Sequence, residues 1–355
     1  MGIGKRRADA HVVMRLVLAA AFGSLALAVV AGAAGERSAW AANGTTSASR
    51  PVLFVPLGAF PRSDATALAR YVRGRLGLRT GVLGGAAIPR SAYDRARKQY
   101  VGERLIALVG RPASEPRAVM IGLTVEDMYT KGDPFRFTFS IRSPQGFAVV
   151  SRARMDPRVL GLNPDPALRT RRLQKMVMKN VGALSLGLGL SGNPRSAMFN
   201  SILSVDDLDY MTDEFRPAKP SGARRTWLAR SNRACKAATS RERALIARSQ
   251  LTTREELFAY MRESIALRDR SRSELAAVPA SRGDRGHVKA MVASFKRAVD
   301  ADRAALMKLE ARWSDAAVEA WGLARARRGF ALKADALELG SLGCGRYFDP
   351  QTYAG

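Results

Sequence analysis

Histidine and cysteine are scarce in this chain, whose 355 residues include two of each. A zinc ribbon, an iron–sulfur cluster and a histidine-rich metal centre all need more ligands than these side chains supply. Two cysteines also exclude a mini-protein held together by many disulfides. The chain must therefore fold around ordinary hydrophobic cores. Its 47% content of hydrophobic residues is sufficient for them, and its length predicts two domains.

Acidic residues are few relative to basic ones, with 31 Asp and Glu against 58 Lys and Arg and a net charge of +27. Such an excess attracts phosphate or anionic lipid. It is spread along the chain, however. Residues 42–220 carry 27 basic and 14 acidic side chains, a net of +13, and residues 221–355 carry 26 and 15, a net of +11. A dedicated polyanion module would differ from its neighbour, so nucleic acid is not the expected partner.

The first 41 residues have the pattern of an export signal. Basic residues precede an uncharged run from Leu16 to Ala34, and Ala39-Trp40-Ala41 is a small-x-small cleavage site. Because the run has 19 residues, about a bilayer span, residues 16–34 are alternatively an uncleaved membrane anchor. The sequence thus predicts a periplasmic, secreted or membrane-anchored protein, with residues 42–50 as a linker.

The two cysteines, Cys235 and Cys344, lie 109 positions apart in the second half of the chain. In an oxidising compartment, two isolated cysteines pair more often than they stay free. We therefore predict a disulfide between them, with two buried thiols as the alternative.

Residues 51–220 alternate between strand and helix patterns. Apolar runs at 52–55, 79–83, 118–124, 135–140 and 147–152 predict strands, and helical patterns lie at 63–76, at 102–109 and from about 168. This alternation indicates an α/β or α+β fold. Residues 221–355 lack strand patterns and predict a helical region of two or three long helices, with a capping box at Thr252–Glu255.

Three glycines, Gly187, Gly189 and Gly192, match the dinucleotide-binding pattern G-x-G-x-x-G. That motif requires a strand before it and a helix after it. Here a helical pattern precedes, and Asn193-Pro194 follows. The context is reversed, which argues against a nucleotide site.

The same segment resembles the zinc helix of the metzincins, H-E-x-x-H-x-x-G-x-x-H, over residues 180–190, and residues 193–198 resemble the approach to the Met-turn at Met198. Collinear pieces at 87–89, 93–100, 125–129, 148–152 and 200–206 are similar to archaemetzincin landmarks in the family's order. Residues 51–217 therefore resemble an archaemetzincin. This resemblance implies a metzincin-like twisted mixed sheet with helices.

The resemblance also assigns site positions, and these depart from the family's pattern. The three zinc-ligand positions hold Asn180, Leu184 and Leu190, and the position of the catalytic glutamate holds Val181. Archaemetzincins carry cysteines for a second zinc site. The corresponding positions here look like Ser191, Ser196 and the stretch after Phe215, and none of them is a cysteine. The resemblance implies a zinc cofactor, but the substituted positions predict that the catalytic residues and zinc ligands are absent and that no cofactor is bound.

The leading interpretation is an exported, catalytically degenerate pseudo-peptidase that binds a peptide or protein partner without cutting it. In this hypothesis, Leu184 and Leu190 fill the former ligand space. The acidic residues from Asp206 to Glu214 are interpreted as a solvated face, and His287 as a surface residue. One alternative is an active zinc metallopeptidase with non-standard ligands, and a second is a basic helical module that binds an anionic envelope polymer or lipid.

Overall fold

The computed structural model describes residues 50–353, apart from residues 111, 113, 134 and 250. The predicted signal at 1–41, the alternative anchor at 16–34 and most of the 42–50 linker lie outside the described residues. Within the described part, no helix is long and apolar enough to cross a membrane. The chain divides into two compact units, with the boundary between Pro217 and Ala218.

The first unit is built on strands in two sheets. The strands are β1 (Val52–Pro56), β2 (Thr80–Val82), β3 (Tyr93–Asp94), β4 (Gln99–Val101), β5 (Val119–Thr124), β6 (Met128–Tyr129), β7 (Ser140–Ser143) and β8 (Phe147–Ser151). The larger sheet has the order β2-β1-β5-β8-β7, and the smaller one has the order β3-β4-β6. In the larger sheet β7 is an edge strand and runs antiparallel to β8, whereas the other neighbours pair in parallel.

Both faces of the larger sheet are covered. Every residue of β1 and β5 is buried. Parallel strands that are enclosed on both faces carry continuous apolar runs, as these two strands do. The helices of this unit are α1 (Arg62–Leu76), α2 (Gly102–Ile106), α3 (Pro166–Leu184) and α4 (Val205–Tyr210). Apolar residues of α1 and α3 form one core with alternate side chains of the sheet, and Leu105 of α2 belongs to the core on the other face.

Helix α3 carries the segment that the sequence singled out. Its start is fixed by Asp165, whose side chain accepts a hydrogen bond from the Leu168 amide at 2.8 Å, and by Pro166 in the first turn. Met176, Val177 and Val181 on one face belong to the sheet-covering core. The helix ends at Leu184, three residues before Gly187, which has a left-handed φ of 65°.

The second unit is helical. Its helices are α5 (Gly222–Arg248), α6 (Arg254–Ala276), α7 (Arg285–Ala311), α8 (Asp315–Glu338) and α9 (Leu342–Phe348). Each long helix packs on the next along the chain, and α9 packs on both α5 and α8. The predicted disulfide is confirmed: Cys235 of α5 is bonded to Cys344 of α9, with Cα atoms 4.9 Å apart.

The predicted mixed α/β fold with a helical C-terminal region is confirmed, and three local predictions are wrong. Residues 135–139 are not a strand, because β7 begins only at Ser140. The second unit has four long helices in the part that the structure describes. The chain between 285 and 338 forms two helices, α7 and α8, and Ser314 caps the second by accepting from the Ala317 amide. The capping box uses Thr253 and Glu256, one position later than predicted.

Candidate functional site

The last turns of α3 hold the first two positions of the implied metal site. Asn180 is completely buried, and its Nδ2 donates to the Met176 carbonyl, one turn earlier, at 2.8 Å. Its Oδ1 is buried without a hydrogen-bond partner. Val181 is also completely buried and lies in the core that α3 shares with the sheet.

The two leucines of the pattern lie in different environments. Leu184, the last residue of α3, is partly buried against the core. Leu190 is 59% exposed, because the chain turns at Gly187 and residues 188–190 have no regular structure. The hypothesis that Leu190 fills the former ligand space is therefore wrong. Apolar packing at this end of the helix comes from Leu184.

Met198 lies against the helix at a glycine that sequence analysis did not single out. It is 2% exposed, and a Cβ atom placed on Gly182 would lie 2.7 Å from Met198 Sδ and 2.7 Å from Phe215 Cε1. Glycine inside a helix costs about 1 kcal/mol relative to alanine. Here it allows the methionine and the phenylalanine ring to approach the helix backbone.

Hydrogen bonds close the loop that contains the serines at the implied second metal site. The Ser191 amide donates to the Met198 carbonyl at 2.8 Å, and the Asn200 amide donates to the Ser191 carbonyl at 3.0 Å. The Ser196 hydroxyl donates to the Phe215 carbonyl at 2.6 Å and accepts from the Met198 amide at 3.0 Å. Serine side chains and backbone groups thus hold this loop together.

Two basic side chains that sequence analysis missed lie beside the site. Lys179 is 7% exposed, and its Nζ donates to the Phe199 carbonyl. Burial and the nearby charge of Arg142 lower the pKa of Lys179 to about 8. Lys179 is the one charged residue in the largely apolar second half of the helix, residues 176–184, and this was the available sequence signal.

Arg142 belongs to the edge strand β7. Its neighbour Ile141 packs towards Gly102 on the α2 side, so strand alternation places Arg142 on the α3 side. Its Nη1 is buried without a hydrogen-bond partner, and burial lowers the pKa of the guanidinium. The charge of Arg142 is near enough to Lys179 to lower the pKa of the lysine.

The acidic residues after Ser204 were predicted to form a solvated face, and that prediction is wrong for Asp207, Asp209 and Asp213, whereas Glu214 is exposed. Asp209 is 1% exposed and accepts from Arg172 Nε at 2.8 Å and Nη2 at 2.6 Å. Asp207 completes a capping box with Ser204, and Asp213 pairs with Arg75 at 3.0 Å. These carboxylates are structural. Across the described residues, no group of three or more His, Cys, Asp or Glu side chains could hold a metal ion.

Comparisons with known proteins name one family. No family model matches the chain. It is 29% identical over 143 residues to the archaemetzincin of Pyrococcus horikoshii, a match that spans 39% of this chain and 74% of the relative. It is 28% identical over 148 residues to the archaemetzincin of Haloquadratum walsbyi, spanning 41% and 83%. The chain is archaemetzincin-like.

A solved structure of the same name is also similar. The archaemetzincin of Methanopyrus kandleri is 29% identical in sequence and superposes with a TM-score of 0.38, covering 48% of this chain and 91% of that one. The motifs that carry the archaemetzincin resemblance all lie in the first unit, between residues 51 and 217.

The side chains at the implied ligand positions do not fit the zinc ion of an archaemetzincin. Zinc is bound by thiolate sulfur, imidazole nitrogen or carboxylate oxygen. Leu184 and Leu190 offer no lone pair, and Val181 cannot accept a proton. The amide of Asn180 is the one polar group of the four, and its nitrogen is already bonded within the helix.

Proposed function

We propose that the first unit is a catalytically inactive archaemetzincin-like unit that binds a peptide carboxylate beside strand β7 without cutting the peptide. The observation that carries this proposal is the side-chain set at the implied site, Asn180, Val181, Leu184 and Leu190. Metal-assisted peptide hydrolysis needs a polarising cation and a base that takes a proton from the attacking water. These four side chains supply neither.

The contacts around α3 support a scaffold that needs no metal. Met198 and Phe215 pack on Gly182, and Ser196 ties the loop to Phe215. Loss of a structural metal unfolds many small domains, unless other interactions replace it. The contacts of Met198, Phe215 and Ser196 would hold the loop against α3 in the absence of a metal.

The sheet edge supports peptide binding. An edge strand presents backbone N–H and C=O groups to which an extended peptide adds as a further strand. Arg142 on that strand has a buried Nη1 without a partner, and Lys179 lies near it. A carboxylate, either at the end of the peptide or on an acidic side chain, would supply the missing negative charge and hydrogen-bond acceptor.

Export belongs to the same proposal. The disulfide between Cys235 and Cys344 is typical of proteins that fold in an oxidising compartment. We therefore propose that the protein acts outside the cytoplasm, with the export signal or membrane anchor supplied by residues 1–41.

Metal analysis together with a cleavage assay tests the inactive site. We expect elemental analysis of the purified full chain to find far less than one zinc per protein, and fluorogenic peptides to remain intact with or without a chelator. Stoichiometric zinc together with chelator-sensitive turnover would instead establish a metallopeptidase with non-standard ligands.

Peptide arrays test the proposal that the first unit binds a peptide carboxylate. We expect peptides with a free carboxylate to bind, and their neutral amide counterparts to bind about tenfold more weakly. Arg142→Gln should remove this difference, whereas Arg70→Gln, on the exposed side of α1, should leave it unchanged. Equal binding of acid and amide peptides would contradict the proposal.

A further inference from the structure

The second unit contains a cavity of about 370 Å³. Cavities of about 300–1,000 Å³ are typical of sites for small organic molecules. Helices α5, α6, α8 and α9 and the turn at Pro350–Tyr353 contribute its walls. Much of the lining is aromatic, and the aromatic side chains are Tyr260, Trp321, Tyr347, Phe348 and Tyr353.

Four side chains that line this cavity carry buried polar atoms without hydrogen-bond partners. The atoms are Glu242 Oε2, Trp321 Nε1, Arg325 Nη1 and the Tyr347 hydroxyl. Glu242 is 3% exposed, Tyr347 is 5% exposed and Trp321 is 7% exposed. Buried polar groups in folded proteins are almost always hydrogen-bonded. A cluster of exceptions around one cavity indicates that a bound molecule supplies the partners.

The ion pairs that include the lining residues Glu242, Arg268 and Arg325 extend to Asp302 and Arg328, which do not line the cavity. Arg325 Nη2 donates to Glu242 Oε1 at 2.8 Å, which leaves Glu242 Oε2 and Arg325 Nη1 unused. Asp302 pairs with both Arg268 and Arg328. Three guanidinium groups therefore face two carboxylates in this network. The excess of one positive charge favours a ligand with one negative charge.

The two unused donors lie on the same face of α8. Trp321 and Arg325 are one helical turn apart, and Arg325 Cζ is 5.5 Å from the centroid of the Trp321 ring. A single carboxylate can accept from two neighbouring N–H groups. The unused oxygen of Glu242, on α5, requires a donor instead.

We propose that this cavity binds a small aromatic acid that also carries a hydroxyl or N–H group. The carboxylate accepts from Arg325 Nη1 and Trp321 Nε1, and the hydroxyl or N–H donates to Glu242 Oε2. The ring of the ligand packs among Tyr260, Phe348 and Tyr353. This site is separate in the chain from the one proposed for the first unit and does not depend on it.

Calorimetric titration of the full chain with para-hydroxyphenylacetate tests this inference. We expect saturable binding, with the uncharged amide of the probe binding about tenfold more weakly because it loses the charge-assisted hydrogen bonds. The para-methoxy compound, which lacks the donor for Glu242, should also bind more weakly. No heat of binding up to millimolar probe, or equal affinity for acid and amide, would overturn the proposal.

A pair of tryptophan variants localises the binding. Trp227 also has a buried Nε1 without a partner, but it does not line the cavity. Trp321→Phe should weaken binding of the acid about fivefold, whereas Trp227→Phe should leave the affinity unchanged. An equal loss of affinity in both variants would show that the substitutions act by disturbing the fold, and it would overturn the assignment of the ligand to this cavity. If Trp321→Phe does not fold, the comparison of acid, amide and ether on the unaltered protein decides.

Discussion

The two units differ in how fully their buried polar groups are supplied with hydrogen-bond partners. Around α3 in the first unit, most of them have partners within the chain: Arg172 with Asp209, Lys175 with the Leu208 carbonyl, Ser196 with Phe215. In the second unit, several polar atoms around one cavity have none. A paired buried group stabilises the fold, whereas an unpaired one destabilises it and points to a ligand. Buried polar atoms without partners occur in both units, at Asn180 and Arg142 in the first, but in the second unit four of them line one cavity.

Removing the disulfide should have the largest effect, and it should be confined to the second unit. The chain-entropy account of a loop of 109 residues gives about 4 to 5 kcal/mol of stabilisation for the bond between Cys235 and Cys344. The double variant Cys235→Ser/Cys344→Ser should lose a free energy of unfolding of that order. Guanidinium unfolding followed by tryptophan fluorescence measures it, because Trp227, Trp313 and Trp321 all lie in this unit.

Hydrogen exchange of peptides from α3 provides the control for this variant. The sequence of the first unit contains no cysteine, so exchange there should not change. Faster exchange throughout α3 in the double variant would show that loss of the disulfide also destabilises the first unit, contrary to the prediction.

Breaking the buried ion pair of the first unit should cause the next largest loss of stability. Arg172→Met leaves Asp209 buried and without its charged partner, which should lower the free energy of unfolding by about 3 to 5 kcal/mol in urea titrations. The matched variant in the second unit is Arg268→Met. There Asp302 keeps Arg328 as a partner, so the loss should be only about 1 to 3 kcal/mol. Equal losses would contradict the role given to the remaining partner.

The fold class, the helical second region and the disulfide could be predicted from the sequence. They depend on apolar periodicity and on the number of cysteines, which are local or compositional signals. Sequence reasoning also placed Asn180 and Val181 on a helix. It failed at Leu190 because exposure after a glycine turn depends on tertiary packing. The acids were misread for a similar reason: nothing local to Asp209 shows that Arg172 approaches it across 37 positions.

The polar cavity was beyond sequence reasoning for the same physical reason. Glu242, Arg325 and Tyr347 come from three helices and look like ordinary members of arginine- and alanine-rich patterns. Trp321 is buried in a core, and only the packed helices show that its N–H group has no partner.

Between pH 8 and 10, the pH dependence of stability should carry a contribution from Lys179 of the first unit. Lys179 has a pKa of about 8 in the folded protein, below its ordinary value of 10.5. Between these values the unfolded chain binds the proton that the folded chain has released, so this group raises the free energy of unfolding as pH increases. Below pH 8 it contributes no slope. Relative to Lys179→Met, the native protein should gain about 1 kcal/mol per pH unit from pH 8 towards 10.

Buried tyrosines should give the opposite sign above pH 10 in both units, because burial raises the pKa of Tyr71 in the first unit and of Tyr347 in the second. Burial raises the pKa of Tyr347 to about 12, so the unfolded chain releases this proton first and stability falls as pH rises above 10. Denaturant titrations at several pH values measure both slopes. Parallel profiles for the native protein and Lys179→Met between pH 8 and 10 would show that Lys179 is not desolvated as described.

Two tyrosines of the second unit give the smallest and most direct test of the comparison. The Tyr347 hydroxyl is buried without a partner, whereas the Tyr353 hydroxyl donates to the Tyr347 carbonyl at 3.0 Å. Tyr353→Phe loses that hydrogen bond and should lower the free energy of unfolding by about 1 kcal/mol. Tyr347→Phe removes an unsatisfied group and should raise it by about the same amount. Thermal unfolding of the two variants without added ligand compares them directly. A loss of stability in Tyr347→Phe would mean that its hydroxyl is satisfied in solution, and the contrast between the two units would then be smaller than the unpaired atoms indicate.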